Sequence, residues 1–343
     1  MKKNQAIILL TFLVCCTQNK IHDRVYFTYK DFRTPIELKG EILHAEILWK
    51  PRAIYCIDSA LVILDEKYGD YFVQVYNKEN FNLIAENIPK GIGPNESISC
   101  WSLQINSDYV WAFDVQTRKI KAYSRDDLLT KTDVIPYKTV EFDELHLTIA
   151  SLSNKTFVAT SITDTENLLS LYDFNGKKSN SINTSYPQLD IEHGAIDKKR
   201  LFENRILYSE KNNKIIVLYV YTDIIDIYDE NLNLLSRIQG PDHFMPELGL
   251  RGDFVHIVKG KTKFAYNQGF LTSTEIWTLY NGSSPDETGI KYPDKIFVFD
   301  FNGKPLRSYN LNYPIHSFCI DEKNKILYGL SENIEGGIIK FDF

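Results

Sequence analysis

An all-β, six-bladed β-propeller is the fold that the sequence predicts, and three observations predict it. The composition favours strands: 13% of the 343 residues are aromatic, with 21 Tyr and 20 Phe against 2 Met. An alternating strand that ends in an aromatic residue and a polar turn recurs six times, with its aromatic at Tyr76, Tyr123, Tyr172, Tyr228, Phe299 and Phe341, 42 to 71 residues apart. Those spacings are lengths of four-stranded blades, the longer ones carrying loop insertions. Upstream of the copies lie apolar hairpins closed by polar turns, such as Tyr55 to Leu64, Leu103 to Trp111, Ile206 to Leu218 and Cys319 to Tyr328. Two separate β-sandwich domains would need a break in composition near the middle of the chain, and none is seen.

The elements follow in chain order. Lys2 and Lys3, the apolar run Ala6 to Val14 and then Cys15 and Cys16 read as an export leader, because about nine apolar residues are too few to span a bilayer as a helix. Leu13-Val14-Cys15-Cys16 resembles the lipobox of bacterial lipoproteins. That resemblance implies that residues 1–15 are a removed signal peptide and that Cys16 carries the lipid. Cleavage takes two Lys from 39 basic residues against 45 acidic ones, giving a net charge of −8 and leaving acyl chains as the membrane contact. Residues 16–30 are polar and read as a flexible tether, and residues 31–343 as the propeller.

Within the propeller each unit reads as three strands, the third ending in the aromatic, followed by an outer strand such as Leu234 to Ile238. The last copy, Ile339 to Phe343, ends the chain at its third strand. Pro35 to Leu43 alternates as a strand with no repeat of its own. It is therefore expected to be the outer strand of the last blade, closing the ring and covering an edge that would otherwise template aggregation. No helix-period run of ten residues occurs; only a short turn near Asp197 to Phe202 is expected.

Function classes narrow by exclusion. A formal charge of −6 argues against a broad phosphate-binding surface, and no nucleic acid is expected as partner. Cys56, Cys100 and Cys319 are an odd number at wide spacing, which fits buried small hydrophobes better than a disulfide framework or metal knuckle. His193, His243 and His256 show no metal-ligand spacing, and the serines have no Gly-x-Ser-x-Gly elbow. Neither a catalytic residue, a metal nor a cofactor is assigned.

Lys90-Gly91-Ile92-Gly93-Pro94-Asn95-Glu96, between the first blade's outer strand and the second blade's inner strand, resembles the Gly-x-Gly-Pro-x-Glu motif of the TolB-like six-bladed propeller lipoproteins. Ile276-Trp277-Thr278-Leu279-Tyr280-Asn281-Gly282 is similar to the same family, and the resemblance runs from about Asp31 to Phe343. It implies fold and export and carries over no catalytic residue. The family's motif has a basic residue where Ile92 stands. The glycines also have a purely structural reading as a turn from the propeller's edge to its centre.

In a propeller the starts of the innermost strands converge on one mouth of the central channel. Here those positions are Arg52, Glu96, His146, Arg205, Asn267 and His316. A ring of mixed charge suits a small anionic or sugar-like ligand. The expectation is a monomeric, lipid-anchored, non-enzymatic module of the cell envelope that binds such a ligand or a protein partner, on the periplasmic side of the outer membrane because no acidic run follows Cys16. The alternatives are a channel-mouth enzyme of the metal-dependent lactonase or sugar lyase type and a structural subunit of an envelope assembly.

Overall fold

The computed structural model describes residues 24–43 and 50–343, apart from 68, 154, 165, 180–183, 189–194, 197, 253, 259, 286–288, 290, 333 and 335–336. The leader and Cys16 lie outside the described residues. Strands β1 (Val25–Tyr26), β2 (Ile36–Leu38) and β3 (Gly40–Leu43) precede the repeats. Blade one is β4 (Pro51–Ile57), β5 (Ala60–Asp65), β6 (Tyr71–Asn77) and β7 (Leu83–Pro89). Blade two is β8 (Ser102–Ile105), β9 (Tyr109–Asp114), β10 (Lys119–Ser124) and β11 (Lys138–Glu141), with helix α1 (Arg125–Thr130) between its last two strands. Blade three is β12 (His146–Ser151), β13 (Phe157–Ser161) and β14 (Ser170–Tyr172). After β15 (Ala195–Ile196) and α2 (Lys198–Leu201), blade four is β16 (Asn204–Ser209), β17 (Lys214–Tyr219), β18 (Ile224–Asp229) and β19 (Leu234–Gln239).

The long insertion after blade four forms the hairpin β20 (Leu248–Arg251) and β21 (Phe254–Ile257), which takes β15 as a third, parallel strand. Blade five is β22 (Tyr266–Leu271), β23 (Glu275–Tyr280), β24 (Lys295–Asp300) and β25 (Pro305–Leu311). Blade six is β26 (Ser317–Asp321), β27 (Ile326–Leu330) and β28 (Ile338–Asp342), with β3 as its outer strand.

The repeat has a local cause. All six third-strand aromatics are buried, at 0 to 2% exposure. The polar residue after the aromatic builds the turn: Asp173, Asp229 and Asp300 each accept from backbone N–H groups two and four residues on, at 2.8 to 2.9 Å, and Asn77 does so two and three residues on. In blade two Ser124 holds this place and instead caps α1, its hydroxyl accepting from Asp127 N. This helix was not anticipated from the sequence; α2 was.

Six apolar clusters, one at each seam between neighbouring blades, make the core. The innermost strands are also stitched to one another. Gln104 Nε2 donates to Ser151 O at 2.7 Å and Ser151 N donates back to Gln104 Oε1 at 2.6 Å, joining blades two and three. Gln268 does the same between blades five and six, donating to Ser317 Oγ and accepting from Phe318 N.

Two expectations for the N-terminal segment need correction. Only Gly40–Leu43 closes blade six, pairing antiparallel with β28; Ile36–Leu38 instead adds a fifth, parallel strand to blade five. The end of the expected tether is also part of the fold. Val25–Tyr26 pairs parallel with Ile238–Gln239 of blade four, and Phe27 and Phe32, both buried, pack on Phe299 and Phe297. The N-terminal segment therefore pairs with the outer strands of blades four and five and supplies the outer strand of blade six.

Candidate binding site

The six residues expected at the channel mouth are not equivalent. Arg52 is the bulged residue at the start of β4; its guanidinium pairs with Glu66 and lies 3.5 Å over the Trp101 ring of blade two. His316 Nε2 lies 2.9 Å from Pro51 O, so these two residues meet at the blade six–blade one seam, and burial lowers the imidazole pKa. Arg205 is held by Glu203 and Asn204 O, each at 3.1 Å, and Asn267 is a half-buried bulge residue. Among the described residues no hydrogen bond or ion pair joins any two of the six.

His146 is a correction. It is 0% exposed, sits between the Phe142 and Tyr172 rings at 5.1 and 4.7 Å, and neither ring nitrogen has a hydrogen-bond partner among the described residues. Burial pulls its pKa down to about 4, so it is a neutral aromatic filler and not a ligand-facing group.

Glu96 faces its own loop. Its carboxylate accepts from Gly93 N at 2.8 Å and occupies the space where a Gly91 Cβ would stand. Gly91 also has φ +156°, at the edge of the region that only glycine adopts freely. Thus the motif residues Gly91, Gly93, Pro94, Asn95 and Glu96 form a self-closing loop. Lys121 pins it from below by donating to Glu96 O and, at 3.2 Å, to Ser97 Oγ. Buried Asp114 accepts from Ile98 N and the Ser99 hydroxyl. Burial alone would raise its pKa, but these donors and Thr117 N hold it below the usual carboxylate range.

The loop, so fixed, forms one wall of a cavity of about 510 Å³ at the seam of blades one and two. Phe72 and Cys100 lie deep in it, both buried, and Trp101 and Ile92 stand at its edge, 39% and 91% exposed. Lys90, 5.2 Å over the Phe72 ring, and Glu66 supply charge of both signs. Burial lowers the Lys90 pKa and raises that of the Cys100 thiol, which keeps this thiol protonated and un-nucleophilic. The arrangement offers a flat aromatic surface, an apolar wall, a cation and a carboxylate in a half-open pocket, which are the parts of a binding site. Of the lining hydroxyls, Ser99 donates to Asp114, a carboxylate whose lowered pKa makes it a weak general base. Among the described residues no group of three or more His, Cys, Asp or Glu side chains could hold a metal ion.

Channel-mouth reasoning overlooked Lys90, Phe72 and Trp101 because the cavity is off the axis, at a seam. The available signal was the motif loop itself, with Trp101 just beyond it.

The fold and the loop define a class, the six-bladed propellers with a glycine-rich connection between blades. The chain belongs to the TolB-like 6-blade propeller-like family, whose model matches residues 31–323. No curated protein matches the chain in sequence. Among solved structures it is similar to a member of the DUF4221 family from Bacteroides vulgatus, with a TM-score of 0.58 and 10% identity over 90% of this chain and 97% of that one. It is also similar to a Bacteroides fragilis protein whose name marks it as exported, with a TM-score of 0.53 and 14% identity over 92% and 98% of the two chains. At such identities the likeness is one of fold.

Proposed function

We propose that this propeller is a lipid-anchored, non-enzymatic binding module of the bacterial cell envelope, and that it takes a small sugar-like ligand bearing an anionic group into the seam cavity of blades one and two. The observation that carries the reading is the exposed Trp101 ring braced by Arg52 across a seam, beside Lys90 in a cavity of about 510 Å³. Sugar rings stack their apolar faces on indoles, and a carboxylate or phosphate on the same ligand would pair with the Lys90 ammonium. The anchor rests on the Leu13-Val14-Cys15-Cys16 motif, and the family match and the exported neighbour support an envelope address. We place the protein on the periplasmic face of the outer membrane, as a monomer.

Two experiments test this reading. A thermal-shift panel of mono- and disaccharides, uronic acids and sugar phosphates should stabilise the wild type through ligand linkage and leave Trp101→Ala and Lys90→Ala unshifted. Stabilisation that persists in both variants would move the site elsewhere. For the anchor, Cys16→Ala should abolish fatty-acid labelling of the chain and release it from membranes; unchanged membrane retention would contradict it.

A further inference from the structure

The innermost strands of blades one and six, β4 and β26, lie side by side where the ring closes, and two bonded rungs fix their register. Ile54 N donates to Ser317 Oγ at 3.2 Å. Two residues on in both strands, Cys56 and Cys319 stand at matching positions and share one apolar cluster. Two residues further again, Lys78 ties the Asp58 carbonyl, at 2.7 Å, to the Asp321 carboxylate. Alternation sends both cysteines into the same apolar seam cluster, with Ile54, Leu61, Tyr328 and Ile338, whereas their neighbours Tyr55 and Phe318 face the opposite seams. Cys319 is fully buried, and Cys56 is half-buried. The third cysteine, Cys100, belongs to the cluster between blades one and two.

We infer that Cys56 and Cys319 form a disulfide that clasps the first blade to the last when a disulfide-bearing oxidant is present. The register sets two thiols at matching positions in one cluster, one of them within reach of solvent, on strands held by a hydrogen bond on one side and an ion pair on the other. Closure proceeds by thiol–disulfide exchange. Cys56 gives up its proton and attacks one sulfur of the oxidant; the oxidant's S–S bond breaks and its first thiolate leaves and takes up a proton. Cys319, deprotonated in turn, attacks the Cys56 sulfur of the mixed disulfide and expels the second thiolate. Two protein thiols are oxidised to one disulfide, and one disulfide is reduced to two thiols. The neighbouring Cys319 thiol and then the Lys78 ammonium favour the first step by lowering the Cys56 pKa, whereas burial raises that of Cys319. The ring thereby gains a covalent link across a seam held by packing, hydrogen bonds and the Lys78–Asp321 ion pair.

The test is peptide mapping of the folded, full-length chain after equilibration with oxidised glutathione, with remaining thiols alkylated in denaturant. The expected result is a cross-linked pair of peptides containing Cys56 and Cys319, lighter by two hydrogens than the separate thiols, with Cys100 alkylated. Recovery of Cys56 and Cys319 as alkylated thiols, or a cross-link that includes Cys100, would overturn the inference. A second readout needs no variant: the oxidised wild type should melt about 5–10 °C above the same sample treated with dithiothreitol, because the bond closes nearly the whole ring. In Cys100→Ser the shift should persist, and in Cys56→Ala it should vanish. A shift that survives in Cys56→Ala would assign the effect to other cysteines.

Discussion

The Arg52 guanidinium of blade one lies 3.5 Å above the Trp101 ring of blade two, clamped in place by Glu66. One indole face is thereby covered by a cation, while the residue as a whole stays 39% exposed. A cation–π contact of this kind is worth about 0.5–2 kcal/mol. Arg52→Ala should therefore weaken ligand binding by roughly 3- to 30-fold with a melting temperature within about 2 °C of wild type, as read by calorimetric titration and thermal melts. A large fall in melting temperature with unchanged affinity would make the stack a structural brace alone.

The buried Asp226 carboxylate carries a second relationship of consequence. It accepts two bonds of 2.6 Å from Arg237 and others from the hydroxyls of Tyr219 and Tyr228 at 2.7 and 3.2 Å. Removing one partner leaves an uncompensated charge inside blade four, so Arg237→Leu should cost about 3–5 kcal/mol in urea unfolding. The double change Asp226→Leu with Arg237→Leu should cost less than that single change. Additive losses would argue against the coupling.

Acid stability should carry the signature of His146. Its folded pKa of about 4 lies below the ordinary 6.5, so the unfolded chain binds a proton that the folded chain refuses. Stability from this group is complete above pH 6.5 and falls as the pH drops toward 4, by about 3 kcal/mol in total. His146→Phe, which keeps the ring contacts with Phe142 and Tyr172, should flatten the pH dependence of unfolding between pH 6.5 and 4. An unchanged slope would show that other groups set it.

Ring closure should fail in two stages. A chain beginning at Val25 keeps every pairing of the N-terminal segment and should melt with the full protein. One beginning at Pro35 loses Phe27 and Phe32 from the cluster of blades four and five and should stay soluble but melt lower. One beginning at Ile47 loses β3, bares the β28 edge and should aggregate. Light scattering and melting curves separate the three, and equal behaviour of the Val25 and Ile47 chains would sink the closure.

Much of this was legible in the sequence. Tyr76, Tyr172, Tyr228 and Phe299 mark the third strands because a buried aromatic is followed by an Asp or Asn that folds the turn with its own side chain, whereas Tyr123 is followed by Ser124, which caps α1. What was not legible follows from backbone irregularity. The inner strands of blades one, three and five each carry a bulge at their start, at Arg52, Leu147 and Asn267. One extra residue reverses which side chains face the channel. A reading by strand starts thus put His146 at the mouth when the fold buries it. The split of Pro35 to Leu43 between two blades was hidden for a related reason: alternation shows that Ile36, Leu38 and Ile42 belong to strands but not which edge each strand meets. Its position in the sequence makes Glu96 a candidate ligand contact; its bond from Gly93 N makes it the residue that closes the motif loop.

The central claim is that the seam cavity beside Trp101 is the binding site. Fluorine NMR of protein labelled with fluorotryptophan tests it most directly, since the chain has four tryptophans and Trp101→Phe assigns the resonance in question. Titration with the panel of sugars, uronic acids and sugar phosphates should produce a saturable shift of the Trp101 resonance that is lost in Lys90→Ala. A ligand that binds by calorimetry while the Trp101 resonance stays fixed, or a panel that moves no tryptophan at all, would contradict the account.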